Sequence, residues 1–245
     1  MMKPRDWDGA GYDRVAAPMT RRGVATLARL PLEGDERVLD AGCGSGQVTA
    51  ELLERLPAGG VVALDGSASM IEQVRARLGP DPRVEYVVGD LGQPLAIAPV
   101  DAMISTSTFH WVPDHDALWR NLADVIRTGG HVAVDCGGAG NIDSILRALH
   151  AVGETWSPWL FPTPEGEREC LERAGFVVGE IWLEPDPVEL EAGEPFRDYL
   201  RTVVLGSHLA RLPQAEHESL LDRVIEQLPA PRLDYVRLKI VATRS

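Results

Sequence analysis

The chain predicts an α/β fold: an open, twisted, mostly parallel sheet of seven strands, helices on both faces, an antiparallel strand near the C-terminus and a helical lid inserted over the sheet. Three observations carry this expectation. From Arg37 onward, short β-branched runs alternate with amphipathic stretches. A glycine-rich turn follows the first run directly, and each of the first three runs carries an aspartate at or beside its C-terminal end.

The elements follow in order. Arg37–Ala41 reads as a strand, and Val48, Leu52, Leu53 and Leu56 then recur at helical spacing until Pro57 stops the helix. Val61–Leu64 is the second strand, and Met70–Leu78 its helix, with Ser67 or Ser69 available as N-cap. Val84–Val88, Ala102–Ser105 and His131–Asp135 are the third to fifth strands, the last preceded by a Thr-Gly-Gly turn expected to end a helix over Ala117–Arg127. Phe176–Leu183 and Tyr235–Ala242 are strand-like without a following helix, which suggests a hairpin-like edge. Between them the apolar positions Leu200, Val203, Val204, Leu209, Leu212, Leu220, Leu221, Val224, Ile225 and Leu228 predict amphipathic helices packed over the sheet.

Length fits one domain over residues 1–245. It divides into an N-terminal helical cap (1–34), a core that holds the ligand (35–140) and a C-terminal part (141–245) with strands six and seven and the insertion at about 195–228. A composition of 44% hydrophobic and 25% charged residues is that of a folded protein. The net charge of −13 disfavours nucleic acid and anionic membranes as partners, since the 24 Lys and Arg are dispersed apart from Arg21-Arg22. Cys43, Cys136 and Cys170 form no CxxC pair, and the N-terminal stretch has no apolar signal region, so a cytoplasmic protein without a membrane span is expected. The six histidines show no metal-ligand spacing, and no metal is expected.

In VLDAGCGSGQ, Gly42, Gly44 and Gly46 let the backbone turn tightly and approach a ligand without Cβ interference. The spacing is GxGxG, not the GxGxxG of dinucleotide enzymes. Asp40, just before the loop, disfavours an anionic pyrophosphate and suits a cationic ligand. Asp65 at the second strand end is placed to accept from ribose hydroxyls, which fits a nicotinamide or an adenosyl cofactor alike. Asp90, in VVGDL, can accept from an adenine amine while Leu91 packs near the ring. Singly, each is as readily a turn or a helix cap; their ordered combination is the signal.

That combination resembles the class I S-adenosylmethionine-dependent methyltransferases, a Rossmann-like family. YDRVAAPMTRRG, DAMISTSTFHWVPDHDALWRNLADVIRTGGHVAV and YVRLKIVATR are similar to the trans-aconitate methyltransferase branch, so the resemblance covers most of the chain. It implies S-adenosylmethionine as cofactor. Gly42, Gly44 and Gly46 would face its methionine part, Asp65 the ribose, Asp90 the adenine and Ser105 the amino acid end, with Trp7 and Tyr12 closing the site. Asp40, Cys43, Gly66, Ser67, Met70, Gly89, Leu91 and Thr106 complete the expected cradle. The sequence departs from the branch at Thr106 and His110, where Asn and Gln are common.

Methyl transfer from a sulfonium needs alignment in a dry pocket more than a catalytic triad. A carboxylate acceptor would need a cationic clamp, for which Arg197, Arg201, His208 and Arg211 are candidates; a phenol, alcohol or amine would need a base, for which His110 is the candidate. Trp111, and Trp156, Trp159 and Phe161 in ETWSPWLFPTP, are expected to line an apolar acceptor site. The expected function is methyl transfer to a small molecule. The alternatives are a nicotinamide-dependent oxidoreductase and a non-catalytic S-adenosylmethionine-binding protein.

Overall fold

β1 (Arg37–Ala41) and β2 (Gly60–Asp65) are apolar runs buried on both faces, the pattern of interior parallel strands. In the computed structural model, which describes residues 17–245, they lie side by side in a seven-stranded sheet of order β3-β2-β1-β4-β5-β9-β6. β3 (Val84–Val88), β4 (Val100–Thr106) and β5 (Ile126–Gly137) extend it in parallel; β9 (Val236–Arg244) runs antiparallel to both β5 and β6 (Phe176–Pro185). The two late strand-like runs therefore pair with each other, and β9 is the antiparallel strand. Chain order reverses direction between β1 and β4, which opens a crevice beyond their C-terminal ends.

Alternation along the strands assigns the two faces. Leu39, Val62, Met103 and Val132 join a core with Leu118, Trp119 and Leu122 of α4 (His115–Ala123) and Leu171 of α6 (Pro164–Arg173). Their neighbours Val38, Val61, Ala102 and Ala133 point the other way, onto Leu27 of α1 (Ala17–Leu27) and Val48, Leu52 and Leu53 of α2 (Gln47–Arg55). Ala63 packs on Ile71 and Val74 of α3 (Ala68–Leu78), whose N-cap is Ser67, accepting from the Met70 N–H.

A separate core holds the lid. All ten apolar positions read from the insertion pack there, in a segment that carries the short helices α7 (Glu194–Tyr199), α8 (Gly206–Leu209) and α9 (His217–Glu226) and a π-turn at Leu200–Val204. They pack against Ile145 and Leu149 of α5 (Asp143–Ala151), a helix the sequence reading did not anticipate, nor did it anticipate α6. β7 (Val188–Glu189) and β8 (Arg232–Leu233) tie the two ends of this segment.

One expected boundary is corrected. The helix expected over Ala117–Arg127 is α4, which starts two residues earlier, capped by Asp114, and ends at Ala123; Thr128-Gly129-Gly130 instead forms a bulge inside β5. Register moves from Val100↔Ile126 to Ala102↔His131, and the missing Cβ of Gly130 lets the bulge press on the Asp101 carbonyl. No helix among the described residues is long and apolar enough to cross a membrane.

α4 and α6 are locked by one buried carboxylate. Glu167, 1% exposed, accepts from Trp119 Nε1 at 2.6 Å and meets His115 Nδ1 at 2.6 Å, while His115 Nε2 lies 3.1 Å from the Phe109 carbonyl. Glu167→Ala strips two buried ring nitrogens of their acceptor and is expected to cost about 3 kcal/mol in urea unfolding. A loss under about 1 kcal/mol would show that this network does not hold the helices together.

Candidate active site

The glycine loop is pinned to the neighbouring strand tip. Gly42 and Cys43 donate their N–H groups to the Leu64 carbonyl at 2.7 and 2.9 Å. At Gly42 (φ +83°) a Cβ would stand 2.1 Å from Thr108 Oγ1, so only glycine fits. At Gly44 (φ +54°) a Cβ would meet nothing within 4 Å, because that side opens into a cavity of about 1060 Å³. The Gly44 N–H donates to Asp65 Oδ2 and the Ser67 N–H to Asp65 Oδ1, each at 2.9 Å, which fixes the carboxylate at the cavity wall.

Gly66, Met70, Gly89, Asp90, Leu91 and Thr106 continue this wall. Asp90 Oδ1 accepts from the Gly92 N–H at 2.9 Å, a turn that holds the carboxylate at the β3 tip. Bare glycine backbone beside carboxylates from two strand tips fits a cationic adenosyl ligand.

Five expected cradle residues lie beneath the wall, not on it. Asp40 is 1% exposed and turns under the loop, where Thr49 Oγ1 donates to its Oδ2 at 2.7 Å and its Oδ1 has no partner. Burial pushes its carboxyl up to about 7. The electrostatic reasoning that set Asp40 beside the ligand is thereby corrected: alternation along β1 directs the side chain below the loop. Cys43 is buried, its thiol pushed up by the same desolvation, and Gly46 packs on Val74. Ser67 caps α3, and Ser105 Oγ donates to the Ala41 carbonyl at 2.7 Å. Trp7 and Tyr12 lie outside the described residues.

The other half of the cavity is aromatic and cationic. His110, Trp111, Trp159 and Phe161 form a ring array, Trp159 and Phe161 stacking at 6.0 Å and Trp111 meeting Trp159 at 5.7 Å. Trp156 also lines it. Gly137 N–H donates to His110 Nδ1 at 3.2 Å, and burial, then the charges of Arg237, His115 and Arg22, hold the imidazole well below its usual range. The ring is neutral, so with Nδ1 accepting, its proton resides on Nε2. The sequence reading makes His110 a candidate base; the geometry places a backbone N–H on its Nδ1.

Three residues that motif reading missed stand here: Arg22, Tyr235 and Arg237. Arg237, 2% exposed, pairs with Asp135 at 2.7 Å and donates to Ser107 Oγ at 3.0 Å. Arg22 pairs with Asp186 at 2.7 Å and lies 4.6 Å over the Tyr235 ring. A charged residue inside the buried run YVRLKIV was the available signal. Conversely, Arg201 does not line the cavity: its guanidinium is held outside by Asp198, Glu194 and Glu218. Arg197 is held by Glu218 and Asp222 in the same way. His208 is sealed behind Trp156, with Nε2 3.1 Å from its carbonyl, so it braces the wall without reaching the cavity. Among the described residues no three His, Cys, Asp or Glu side chains gather as a metal site.

Asp40 gives a pH signature. The folded state keeps its proton up to about 7 while an unperturbed carboxyl releases it near 3.8, so this contribution to stability is full at low pH and is lost as pH rises through that window. Asp40→Asn, which cannot ionise, is expected to gain on the wild type by roughly 2 kcal/mol between about pH 5 and about pH 8 in denaturant titrations. Parallel pH profiles for the two proteins would refute the assignment.

Comparison with known proteins agrees with this geometry. Residues 39–134 match the methyltransferase domain family. Trans-aconitate 2-methyltransferase of Azoarcus sp. (strain BH72) is 37% identical over 62% of this chain, a match spanning 58% of that protein's length. The enzyme of the same name from Escherichia coli (strain K12 / DH10B) is 29% identical over 98% of both chains. Among solved structures, Haemonchus contortus phosphoethanolamine N-methyltransferase 2, bound to S-adenosylhomocysteine, superposes with a TM-score of 0.62 at 19% identity, covering 97% of this chain and 56% of that one, a likeness of fold alone. Sheet order, glycine loop and relatives converge on a methyltransferase fold: residues 39–134 match the methyltransferase domain family, and the chain is similar to the trans-aconitate 2-methyltransferases.

Proposed function

We propose that the chain methylates a carboxylate oxygen of a small organic acid, giving a methyl ester by in-line displacement. The observation that carries this reading is the polarity of the cavity. Asp65 and Asp90 stand at the tips of β2 and β3, on one side of the switch between β1 and β4; Arg237 stands on β9, on the other side, with Arg22 and Arg211 from α1 and the lid. An acidic end suits a sulfonium and a basic end suits an anion. The names of the Azoarcus and Escherichia coli relatives point to the same acceptor class.

S-adenosylmethionine supplies, when bound, a methyl carbon already activated by positive sulfur. The chain's own task is then alignment and exclusion of water. Residues 35–140 would hold the cofactor, with Asp65 taking the ribose hydroxyls and Asp90 the adenine amine. A carboxylate acceptor is ionised at neutral pH and needs no base, which agrees with a neutral His110 whose Nδ1 is taken by the Gly137 N–H. The Nε2–H would orient the acceptor, while Trp111, Trp159 and Phe161 keep water from the reacting atoms. A phenol or amine acceptor fits less well, because the lone pair a base would use is occupied by the Gly137 N–H. A nicotinamide cofactor is disfavoured by the GxGxG spacing and by Asp90.

The test is methyl transfer to acids, with trans-aconitate as the first probe. A product one methylene heavier and cleaved by mild alkali is expected. Binding of S-adenosylhomocysteine without any alkali-labile product would favour a non-catalytic binder. Asp65→Ala is expected to weaken S-adenosylhomocysteine binding by roughly 1.5 to 3 kcal/mol in calorimetry; unchanged affinity in a folded variant would remove Asp65 from the site. For His110, Gln keeps a donor near the Nε2 position but cannot act as a base. His110→Gln is therefore expected to stay within about tenfold of wild-type kcat while His110→Phe falls further. Equal, large losses in both would restore the general base.

A further inference from the structure

Among the described residues three guanidiniums line the cavity, and two are paired with a carboxylate: Arg22 with Asp186, which Arg21 shares, and Arg237 with Asp135. Arg211 has no carboxylate partner there. By contrast, Arg197 and Arg201 in the same lid segment each engage at least two acids. Arg211 rests instead on an aromatic platform, its Cζ 4.0 Å from the Trp156 ring centroid. The platform is itself fixed, since the buried His208 meets the Trp156 carbonyl at 3.1 Å and packs edge-on against its ring at 5.1 Å.

The backbone explains why this arginine reaches the cavity. Leu205 N–H donates to the Leu200 carbonyl at 2.6 Å, a π-turn that rotates the following residues relative to an uninterrupted helix. Gly206, Ser207, Ala210 and Arg211 all reach the cavity surface as a result. A guanidinium held face-down on an aromatic ring keeps its N–H fork in plane and available to a carboxylate.

We propose that Arg211 is a specificity-determining residue that receives a second, non-reacting carboxylate of the acceptor, so that the lid selects acids with more than one carboxylate. This rests on the carboxylate reading above. A monoacid would occupy the His110 end and leave Arg211 facing water.

The experiment compares wild type, Arg211→Gln and Arg211→Lys, each with S-adenosylhomocysteine bound, by calorimetric titration with trans-aconitate and with crotonate, which carries a single carboxylate. Esterification rates on the two acids run in parallel, and melting temperature checks that the exposed substitution leaves the fold intact. Arg211→Gln is expected to weaken trans-aconitate binding about tenfold or more, the range for hydrogen bonds to charged groups, and crotonate by less than about twofold. Arg211→Lys, which keeps the charge but not the fork, falls between. Equal loss on both acids would mean general electrostatic attraction and overturn the proposal, as would no loss on either. If the wild type esterifies acids while Arg211→Gln discriminates as well as wild type, only the role of Arg211 fails. If the wild type neither binds nor esterifies either acid, the carboxylate reading fails and takes this one with it.

Discussion

The ion pair between Arg237 and Asp135 is the constraint on which the acceptor half depends. Both side chains are almost completely buried, so removing either leaves an uncompensated charge in a dry interior. The pair joins β9 to β5 where the antiparallel register sets Arg237 opposite Gly137, the residue whose N–H fixes His110. It also reaches β4: Arg237 donates to Ser107 Oγ, and Ser107 N–H donates to the Asp135 carbonyl at 2.7 Å. Ser107 sits in the left-handed region (φ +57°), a conformation a serine holds only when its surroundings fix it. Three strand ends are thus tied to one guanidinium, and the chain leaving β4 is directed into the turn that carries His110 and Trp111.

That arrangement explains why His110 is a donor. A histidine at a strand tip reads in sequence as a candidate base, because its ordinary titration range is near neutral. Here two buried cations, Arg237 and Arg22, oppose a third charge on the ring, and a backbone N–H occupies Nδ1.

The parts of the fold legible in sequence are those fixed by local pattern. The strands of the core show as apolar runs because both faces are covered, and Gly42 and Gly44 show because the backbone there needs φ values other residues resist. Asp65 and Asp90 were legible as strand-end carboxylates; Asp40, equally acidic and equally placed, was not distinguishable from them, since sequence does not reveal which way a side chain turns at the end of a strand. The Thr-Gly-Gly turn reads as a helix stop, yet the pairing of β4 with β5 absorbs it as a bulge, a tertiary preference overriding a local one. The acceptor half was hardest to read because its cations, Arg22, Arg211 and Arg237, come from three separate elements, α1, the lid and β9. Arg201 and Arg211 look alike in sequence, and only the packing of α7 against α9, which brings Glu218 to Arg201, separates a surface ion pair from a cavity cation.

The same contrast addresses how a protein with a net charge of −13 can receive an anion. At physiological ionic strength surface charges are screened beyond roughly 8 Å, so the acidic exterior acts on an approaching acid only near the surface. Inside the cavity the balance is set by the few groups that line it, where low dielectric makes each count for more. Arg22 and Arg237 are paired with Asp186 and Asp135, aspartates shared with Arg21 and Lys239, so the cost of holding them in the interior is offset while their charges still act on His110. A further positive charge without a carboxylate partner among the described residues enters through Arg211, at the exposed lid, where solvent offsets its cost. A deep ion pair and an exposed unpaired cation are therefore complementary solutions to one problem: the first keeps the folded chain stable with arginines in its interior, and the second leaves unspent the charge that an anionic substrate can use.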